Sequence, residues 1–363
     1  MKNSEIIEKI PNGEKSEILK DILSLPDLSS CGLSSVKCAK LDEVNAQNGL
    51  YPGFSALACS WNCDVMSKVA QDLALRAVSE GANLIMTPDM RWSANPYKTA
   101  LTEDGFLGGA SLYAVTSSVK NAGAAACVAG CCLDGRDIKY LDNAPDMRSL
   151  YDYFYGPFEC ISSFSGDAAV LTSHASLSGG YKDVNTRSFL SFARKAVGNS
   201  GFVLSSAADG KVVLDGAQKA ETEAELDEAV DKVIEFINYC NAEKAQNLKS
   251  INSADLALRA AEESIVLLKN DNSALPLSAK QGLCVIGRPF ESEEVQESFF
   301  RLIAESADFN FTGHARGYET DGTHDDTLVE EAVKLAKASD AALLFLGTGS
   351  RNEIERVAEG RLK

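Results

Sequence analysis

Residues 260–277 read AAEESIVLLKNDNSALPL, and this stretch decides how the rest of the chain is interpreted. Apolar residues recur here at the spacing of one helix face, at Leu258, Ala261, Ile265 and Leu268. Ser253 is a candidate N-cap, and Pro276 follows a polar break that ends the periodic pattern. A new apolar run, Leu283–Ile286, begins soon afterwards. The pattern alone predicts a helix that connects two domains.

Composition and charge narrow the classes of function. The chain has 363 residues, enough for two domains, with 45% apolar and 24% charged residues. Its net charge of −17 disfavours nucleic acid and anionic membranes as partners, because a phosphate backbone needs a basic surface. No run reaches the roughly 18 apolar residues of a membrane span. The charged N-terminus lacks the apolar core of a signal peptide, so we expect a cytoplasmic protein.

The ten cysteines show no pattern of disulfides or metal ligands. A chain of this length does not need disulfides to hold a core, so we expect buried, reduced thiols. The one cluster is Cys127, Cys131 and Cys132, and no second pair of Cys or His residues lies at metal-ligand spacing. We therefore expect neither a zinc site nor any other metal or cofactor.

Helix and strand patterns alternate along the first two thirds of the chain. Predicted helices cover Asp64–Glu80, Gly105–Asn121, Ser149–Ser163 and Ser188–Val197. Short apolar runs predict buried strands at Asn83–Thr87, Ala124–Ala129, Ala168–Thr172 and Phe202–Ser206. Thr222 and Glu225 form a capping box that opens a further amphipathic helix. This alternation predicts a parallel sheet closed into a (β/α)8-type, TIM-like barrel.

Several stretches resemble glycoside hydrolase family 3, the β-glucosidase-type enzymes, in that family's order. Tyr51–Met90 resembles the family's FPS-ALA-SWD stretch with the helix and strand after it, and 102–107 (TEDGFL) resembles its SEDPYL run. Asp146–Glu159 resembles ERxLxEIYLxPFE, and Asp167–Asn185 resembles the segment that contains SYN. Gly201–Ser206 resembles GFVxSD. The opening stretch, 260–277, resembles the family's link between its two domains.

The resemblance implies how the chain is divided. Residues 1–248 would form the family's N-terminal barrel, and 249–277 would form a linker helix and turn. Residues 278–363 would begin a C-terminal α/β sandwich that is incomplete here. Helix and strand patterns at Leu328–Ala338 and Ala341–Leu346 agree with this second α/β unit.

The family's catalytic and sugar-binding positions hold other residues in this chain. The nucleophile in the family is the Asp of an SDW motif, and the corresponding position here is Ser206, with Asp209 as a nearby acid. The Lys-His pair that grips sugar hydroxyls aligns with Cys127-Val128, and an Arg and a Glu align with Pro96 and Thr99. The Asp of a DGP loop is expected near 33–40, where no DGP occurs. The remaining candidate substrate contacts are Asp89, Arg91, Arg148 and His174.

Three hypotheses follow. The first is a homologue of these enzymes that has lost β-glucosidase activity and retains at most the binding of a small β-glycoside or monosaccharide. The second is an active β-glycosidase with relocated carboxylates, for which the candidates are Asp209, Asp89, Asp134 and Glu103. The third is a non-catalytic interaction protein, whose incomplete second domain would favour self-association or a protein partner.

Overall fold

The computed structural model describes most of the chain and divides it into two compact units. The described residues are 3–89, 101–130, 146–159, 168–173, 201–206, 211–214, 222–242, 245–246, 250–289, 293–319 and 323–346. The units are Met1–Val266 and Leu267–Lys363. The predicted helix at Ser188–Val197 lies outside the described residues.

The first unit is built on a six-stranded sheet in chain order, β1-β2-β3-β4-β5-β6. Its strands are β1 Cys38–Lys40, β2 Leu84–Met86, β3 Ala125–Ala129, β4 Ala169–Ser173, β5 Val203–Ser206 and β6 Val212–Leu214. Strands β1 to β5 are parallel, and the sheet curls into a half-barrel, which confirms the predicted barrel-type α/β architecture. Strand β6, which the sequence analysis did not predict, pairs antiparallel with β5.

Nine helices are described around this sheet. They are α1 Asn3–Ile7, α2 Asn12–Ile18, α3 Leu41–Asn48, α4 Phe54–Cys59, α5 Cys63–Ser79, α6 Gly105–Ala122, α7 Met147–Leu150, α8 Glu223–Ala242 and α9 Ser253–Ser264. A π-helical turn, Tyr151–Tyr155, follows α7 directly. The helix predicted over Ser149–Ser163 is therefore less regular in its described part: a turn at Gly156 follows the π-helical residues, helical backbone resumes at 157–159, and 160–163 lie outside the described residues.

The sheet is buried on both faces. On one face, Ile85, Ala126 and Val128 belong to a core that α5 and α6 complete. On the other face, neighbouring residues such as Met86 and Cys127 belong to a second core that includes α8 and the N-terminal segment. Strands with two buried faces need apolar residues at successive positions, which explains the continuous apolar runs LIM and AACVA.

Helices α5 and α6 begin and end where the sequence predicts. Asn62 caps α5 by accepting hydrogen bonds from the backbone N–H groups of Asp64 and Val65. The predicted inward residues are buried, namely Met66, Val69, Leu73 and Ala77. Gly123 ends α6 with a φ of 98°, and a β-carbon there would lie 2.7 Å from the backbone nitrogen of Ala245. Only glycine fits this position without displacement of the chain.

The predicted capping box at the start of α8 is confirmed. The Thr222 N–H donates to Glu225 Oε2 (3.0 Å), and the Glu225 N–H donates to Thr222 Oγ1 (3.3 Å). The residues predicted to face inward are buried at Ala229, Val230, Val233, Ile234 and Ile237, whereas Leu226 is half-buried.

The face predicted for helix α9 is wrong. Leu256 and Ala260 are the buried residues, whereas Leu258, Ala261, Ile265 and Leu268 are all exposed. The helix ends at Ser264, so the last two of those four residues do not continue its face. Asn252, not Ser253, caps the helix by accepting from the N–H groups of Ala254 and Asp255.

Ser253 instead belongs to a polar network between α9 and α5. The Ser253 hydroxyl donates to Asp72 Oδ1 (3.1 Å) and accepts from Arg76 Nη2 (3.1 Å). Asp72 Oδ2 also accepts from Tyr51 Oη (2.8 Å) and from Arg76 Nε (3.0 Å). Burial, followed by the hydrogen bond to Asp72, raises the pKa of Tyr51 to about 12. The Asp72 carboxylate is therefore the common acceptor that joins three segments of the first unit.

The second unit contains a three-stranded parallel sheet in the order β8-β7-β9. Its strands are β7 Gly282–Gly287, β8 Asn310–Ala315 and β9 Ala341–Phe345, and its helices are α10 Glu293–Glu305 and α11 Asp326–Lys337. Neither α10 nor β8 was predicted from the sequence. At Gly287 a β-carbon would lie 2.1 Å from the Phe345 carbonyl oxygen, so β7 and β9 can approach only with glycine there.

Two further expectations concern the thiols and the membrane. The seven cysteines within the described part of the chain are free thiols, and Cys31, Cys127, Cys240 and Cys284 are buried. Cys59 is exposed, contrary to the expectation of buried thiols, because it ends α4 on its solvent side. Among the described helices, none is both long and apolar enough to cross a membrane.

We expect Asp72→Asn to lower the free energy of unfolding by about 1–3 kcal/mol, because Arg76, Tyr51 and Ser253 lose a shared charged acceptor. Urea unfolding followed by circular dichroism measures the change. The matched control is Lys68→Ala on the same helix, which removes an exposed pair with Asp64 and should cost at most about 0.5 kcal/mol. Equal effects of the two substitutions would contradict a special role for the Asp72 network.

Candidate functional site

Several polar residues of the first unit lie at the C-terminal ends of the parallel strands. In barrel-type folds this edge holds the functional residues, because loops from neighbouring strands meet there. Asp42 follows β1, and Thr87 and Asp89 follow β2. Gly130 follows β3, and Ser206 is the last residue of β5.

Thr87 fixes the geometry of this edge. Its backbone N–H donates to the Cys127 carbonyl (2.9 Å), and its hydroxyl accepts from the Ala129 N–H (3.1 Å). The ends of β2 and β3 are therefore tied together one residue beyond the last pair of the ladder. The carbonyl of Asp89 accepts a hydrogen bond from the Leu101 N–H (2.9 Å), so these two residues are held together beyond the end of β2.

The charge of Asp89 acts on the carboxyl group of Asp42 at this edge of the sheet. The pKa of Asp42 is raised, first by partial removal of its carboxyl group from water, and then by the charges of Asp89 and Glu43. Asp42 occupies the first turn of α3, where a helix N-terminus favours a negative charge. Its pKa is raised in spite of this. A carboxyl group with a raised pKa beside a second carboxylate is the arrangement that acid–base chemistry uses.

Asp42 was not among the candidate residues from the sequence. The DGP aspartate was expected within 33–40, and β1 ends at Lys40, so Asp42 follows that range. A strand of three residues gives too weak a periodic signal to be located from the sequence. Asp42 could have been found as the first acidic residue after the apolar residues Ala39 and Leu41.

Cys127 and Val128, which the resemblance predicts to align with the family's Lys-His pair, are completely buried. Cys127 packs in the core on the α8 side of the sheet, and Val128 packs in the core on the α5 and α6 side. Burial raises the pKa of the Cys127 thiol well above its ordinary value, and it raises that of Cys38 to about 11. Because the thiolate is the reactive form of cysteine, these thiols are poor nucleophiles and poor metal ligands.

The other predicted site residues are distributed as follows. Ser206 pairs with Ser173 of β4 and with Val212 of β6 in the sheet. Arg148 is highly exposed and pairs with the neighbouring acid Asp152 (Nε–Oδ2 3.5 Å). The remaining candidates lie outside the described residues: Arg91, Pro96, Thr99, Asp134, His174 and Asp209. Among the described residues, no group of three or more His, Cys, Asp or Glu side chains could hold a metal ion.

We expect Asp42→Asn to raise the thermal unfolding midpoint at pH 7. The pKa of Asp42 is higher in the folded than in the unfolded chain, so the wild-type loses stability as the pH rises through that interval. The gain from the substitution should disappear below about pH 4, where the unfolded carboxyl group is also protonated. Differential scanning fluorimetry from pH 3 to pH 8 measures this trend.

Asp27→Asn provides a control of opposite sign. Hydrogen bonds from Ser29 lower the pKa of Asp27, so its ionised form stabilises the folded chain. This substitution should lower the midpoint at pH 7, and its effect should fade as the pH falls through the lowered pKa. If both substitutions changed the midpoint in the same direction, the raised pKa of Asp42 would be refuted.

The chain is similar in sequence to curated glycosidases, although no family model matches it. It is 25% identical over 329 residues to a probable β-glucosidase I of Emericella nidulans, covering 77% of this chain and 39% of the relative. It is 22% identical over 355 residues to the thermostable β-glucosidase B of Acetivibrio thermocellus, covering 84% and 46%. An exo-α-(1→6)-L-arabinopyranosidase of Bifidobacterium longum is 25% identical over 361 residues, covering 84% and 47%. The chain thus spans half or less of the length of these curated relatives.

Solved structures show the same relationship in three dimensions. The GH3 β-glucosidase of Bifidobacterium adolescentis superposes with a TM-score of 0.74 at 19% identity, over 96% of this chain and 58% of that one. The β-glucosidase of Listeria innocua in complex with glucose gives a TM-score of 0.66 at 16% identity, over 97% and 64%. The chain therefore has the β-glucosidase-like fold of glycoside hydrolase family 3.

Proposed function

We propose that this chain is a glycoside hydrolase family 3 homologue that binds a small β-glycoside or monosaccharide and has little or no hydrolase activity. Support for a sugar ligand comes from the names of its relatives and from structural neighbours determined with glucose and laminaribiose. Support for weak activity comes from the residues at the aligned catalytic positions. The proposal concerns the chain described here, which spans only part of its relatives.

The complete burial of Cys127 and Val128 is the observation that carries the proposed loss of activity. A sugar hydroxyl must reach a polar side chain, and neither residue has any exposed surface. Both residues are also apolar or weakly polar, so they offer no strong hydrogen bond to a hydroxyl. The proposal takes these residues as the counterparts of the family's Lys-His pair, so that pair of sugar contacts would be missing here.

The nucleophile position gives separate support. A retaining glycosidase needs a carboxylate there, because the nucleophile forms the covalent glycosyl intermediate. Ser206 is a hydroxyl residue, and a serine attacks only when a base removes its proton. The residue type at this position, the last residue of β5, therefore supports weak activity.

We expect no measurable hydrolysis of a panel of nitrophenyl β-glycosides, together with an increase in the thermal midpoint when glucose or laminaribiose is added. Ligand that binds only the folded chain at a hundredfold excess over its Kd stabilises it by about 2.7 kcal/mol. Sucrose at equal concentration controls for the general effect of an osmolyte. Turnover of any substrate at rates typical of enzymes would overturn the proposed loss of activity.

A second candidate function is an active β-glycosidase that uses relocated carboxylates, and the Asp42–Asp89 pair favours it. Asp42, with its raised pKa, would be the general acid, and Asp89 would be the second carboxylate. The two roles need carboxyl groups about 5–5.5 Å apart for retention, or about 6.5–9.5 Å apart for inversion. Asp89 was already one of the candidates from the sequence, whereas Asp42 was not.

For this second candidate we expect Asp42→Asn to reduce kcat/KM by about 10²-fold or more, because general acid catalysis contributes roughly 10²–10⁴-fold. The same substitution should remove the limb of the pH–rate profile that reports the acid. Glu17→Gln is the control, since this exposed carboxylate on α2 pairs only locally with Lys20. Full activity of Asp42→Asn and Asp89→Asn would exclude the relocated pair.

A further inference from the structure

An open cleft lies where the start of α6 meets the π-helical turn after α7. It has a volume of about 660 Å³, within the range of roughly 300–1,000 Å³ that small-molecule sites occupy. Its lining comprises two aromatic rings, four carboxylates and two glycines, namely Phe106, Tyr151, Glu103, Asp104, Asp152, Glu159, Gly105 and Gly156. None of these residues takes part in the strand-end site described above.

The backbone of the cleft is held in one arrangement. Asp104 Oδ1 caps α6 by accepting from the Leu107 N–H (2.7 Å). A β-carbon at Gly105 would lie 2.6 Å from the Asp152 carbonyl oxygen, so the helix start and the turn are in direct contact. The cleft is therefore preformed, and a ligand would not have to order it.

The aromatic residues of the cleft are exposed although the rest of α6 is well packed. Phe106 is 77% exposed and Tyr151 is 41% exposed, whereas Leu107, next to Phe106, is buried. An exposed phenylalanine leaves its apolar surface in water, and a ligand that covers the ring removes that surface from water. Exposed rings that line one cleft are the kind of surface that a flat apolar face of a ligand covers.

Three of the four carboxylates of the cleft, Glu159, Asp152 and Asp104, already have partners, which disfavours a cation as the ligand. Tyr151 Oη donates to Glu159 Oε1, and Arg148 pairs with Asp152 at the rim. Asp104 is occupied as the cap of α6. A neutral ligand with hydroxyl groups can donate hydrogen bonds to the remaining lone pairs of these oxygens. Unlike a cation, it does not need a negative charge that is still unpaired.

We propose that this cleft is a carbohydrate-binding site, in which the C–H face of a pyranose ring packs against Phe106 and Tyr151 and its hydroxyl groups donate to Glu103 and Glu159. Aromatic walls supply the apolar contact, and the carboxylates set the orientation of the ring. The site would hold a sugar outside the strand-end edge. Its occupation requires no catalytic residue, so it stands independently of the proposed function.

The test uses the full chain and saturation-transfer NMR with laminaribiose, cellobiose and spermidine. Phe106→Ala should weaken sugar binding at least tenfold, whereas Phe106→Trp should keep it within about threefold of the wild-type. Tyr113→Ala is the matched control, because Tyr113 is an exposed aromatic residue on the same helix that does not line the cleft. It should leave sugar binding unchanged.

A background of Asp42→Asn with Asp89→Asn separates this site from the strand-end site. Sugar binding that persists in this background and is lost on Phe106→Ala supports the cleft, whatever the outcome of the hydrolysis assays. The proposal is overturned if the Asp42→Asn, Asp89→Asn double variant binds sugar equally well with and without Phe106→Ala. It is also overturned if the double variant binds no sugar. Binding of spermidine alone also overturns it and would identify the cleft as a site for organic cations.

Discussion

Burial of both faces of the curled sheet is the constraint on which the first unit depends. Successive residues of β3 enter two different cores, so no position along the middle of the strand is available to a ligand. The strands are short, and polar residues can reach solvent only where a strand ends. This explains why Asp42, Asp89 and Ser206 lie at one edge while Cys127 and Val128, inside β3, serve packing alone.

The elements that were predictable from the sequence are those whose ends are set by local chemistry. Asn62, Gly81 and Gly123 mark the limits of α5 and α6, and Thr222 with Glu225 marks the start of α8, because caps and left-handed glycines act within one helical turn. The elements that were missed depend on distant partners. Strand β6 has three residues and exists through its antiparallel pairing with β5, and no local signal distinguishes it from a loop. Helix α10 lies after a strand in the second unit, and its apolar residues were not assigned to a helix face.

The candidate site was predicted less well than the fold, for a related reason. In helix α9, periodicity identified the helix but selected the wrong face. The buried side is determined by what Leu256 and Ala260 contact. Asp42 was not singled out because strand β1 is short, and the start of the loop after a short strand is hard to place from the sequence. The resemblance to family 3 identified the fold that the solved structures share. The chemistry at its aligned positions is a matter of individual residues, which a fold does not determine.

Strand β1 is only three residues long, and this has an electrostatic consequence. At about 3.3 Å per residue, its first and last Cα atoms lie about 7 Å apart, less than the Debye length of about 10 Å at 0.1 M ionic strength. Asn83 anchors the lower end by accepting from the Lys37 N–H and by donating to Ser35 and Asn241. Lys37 lies just before that end and donates its Nζ to the Glu80 carbonyl, and the carboxyl groups of Asp42 and Glu43 lie just beyond the other end. This short strand therefore sets charges of opposite sign at the two edges of the sheet.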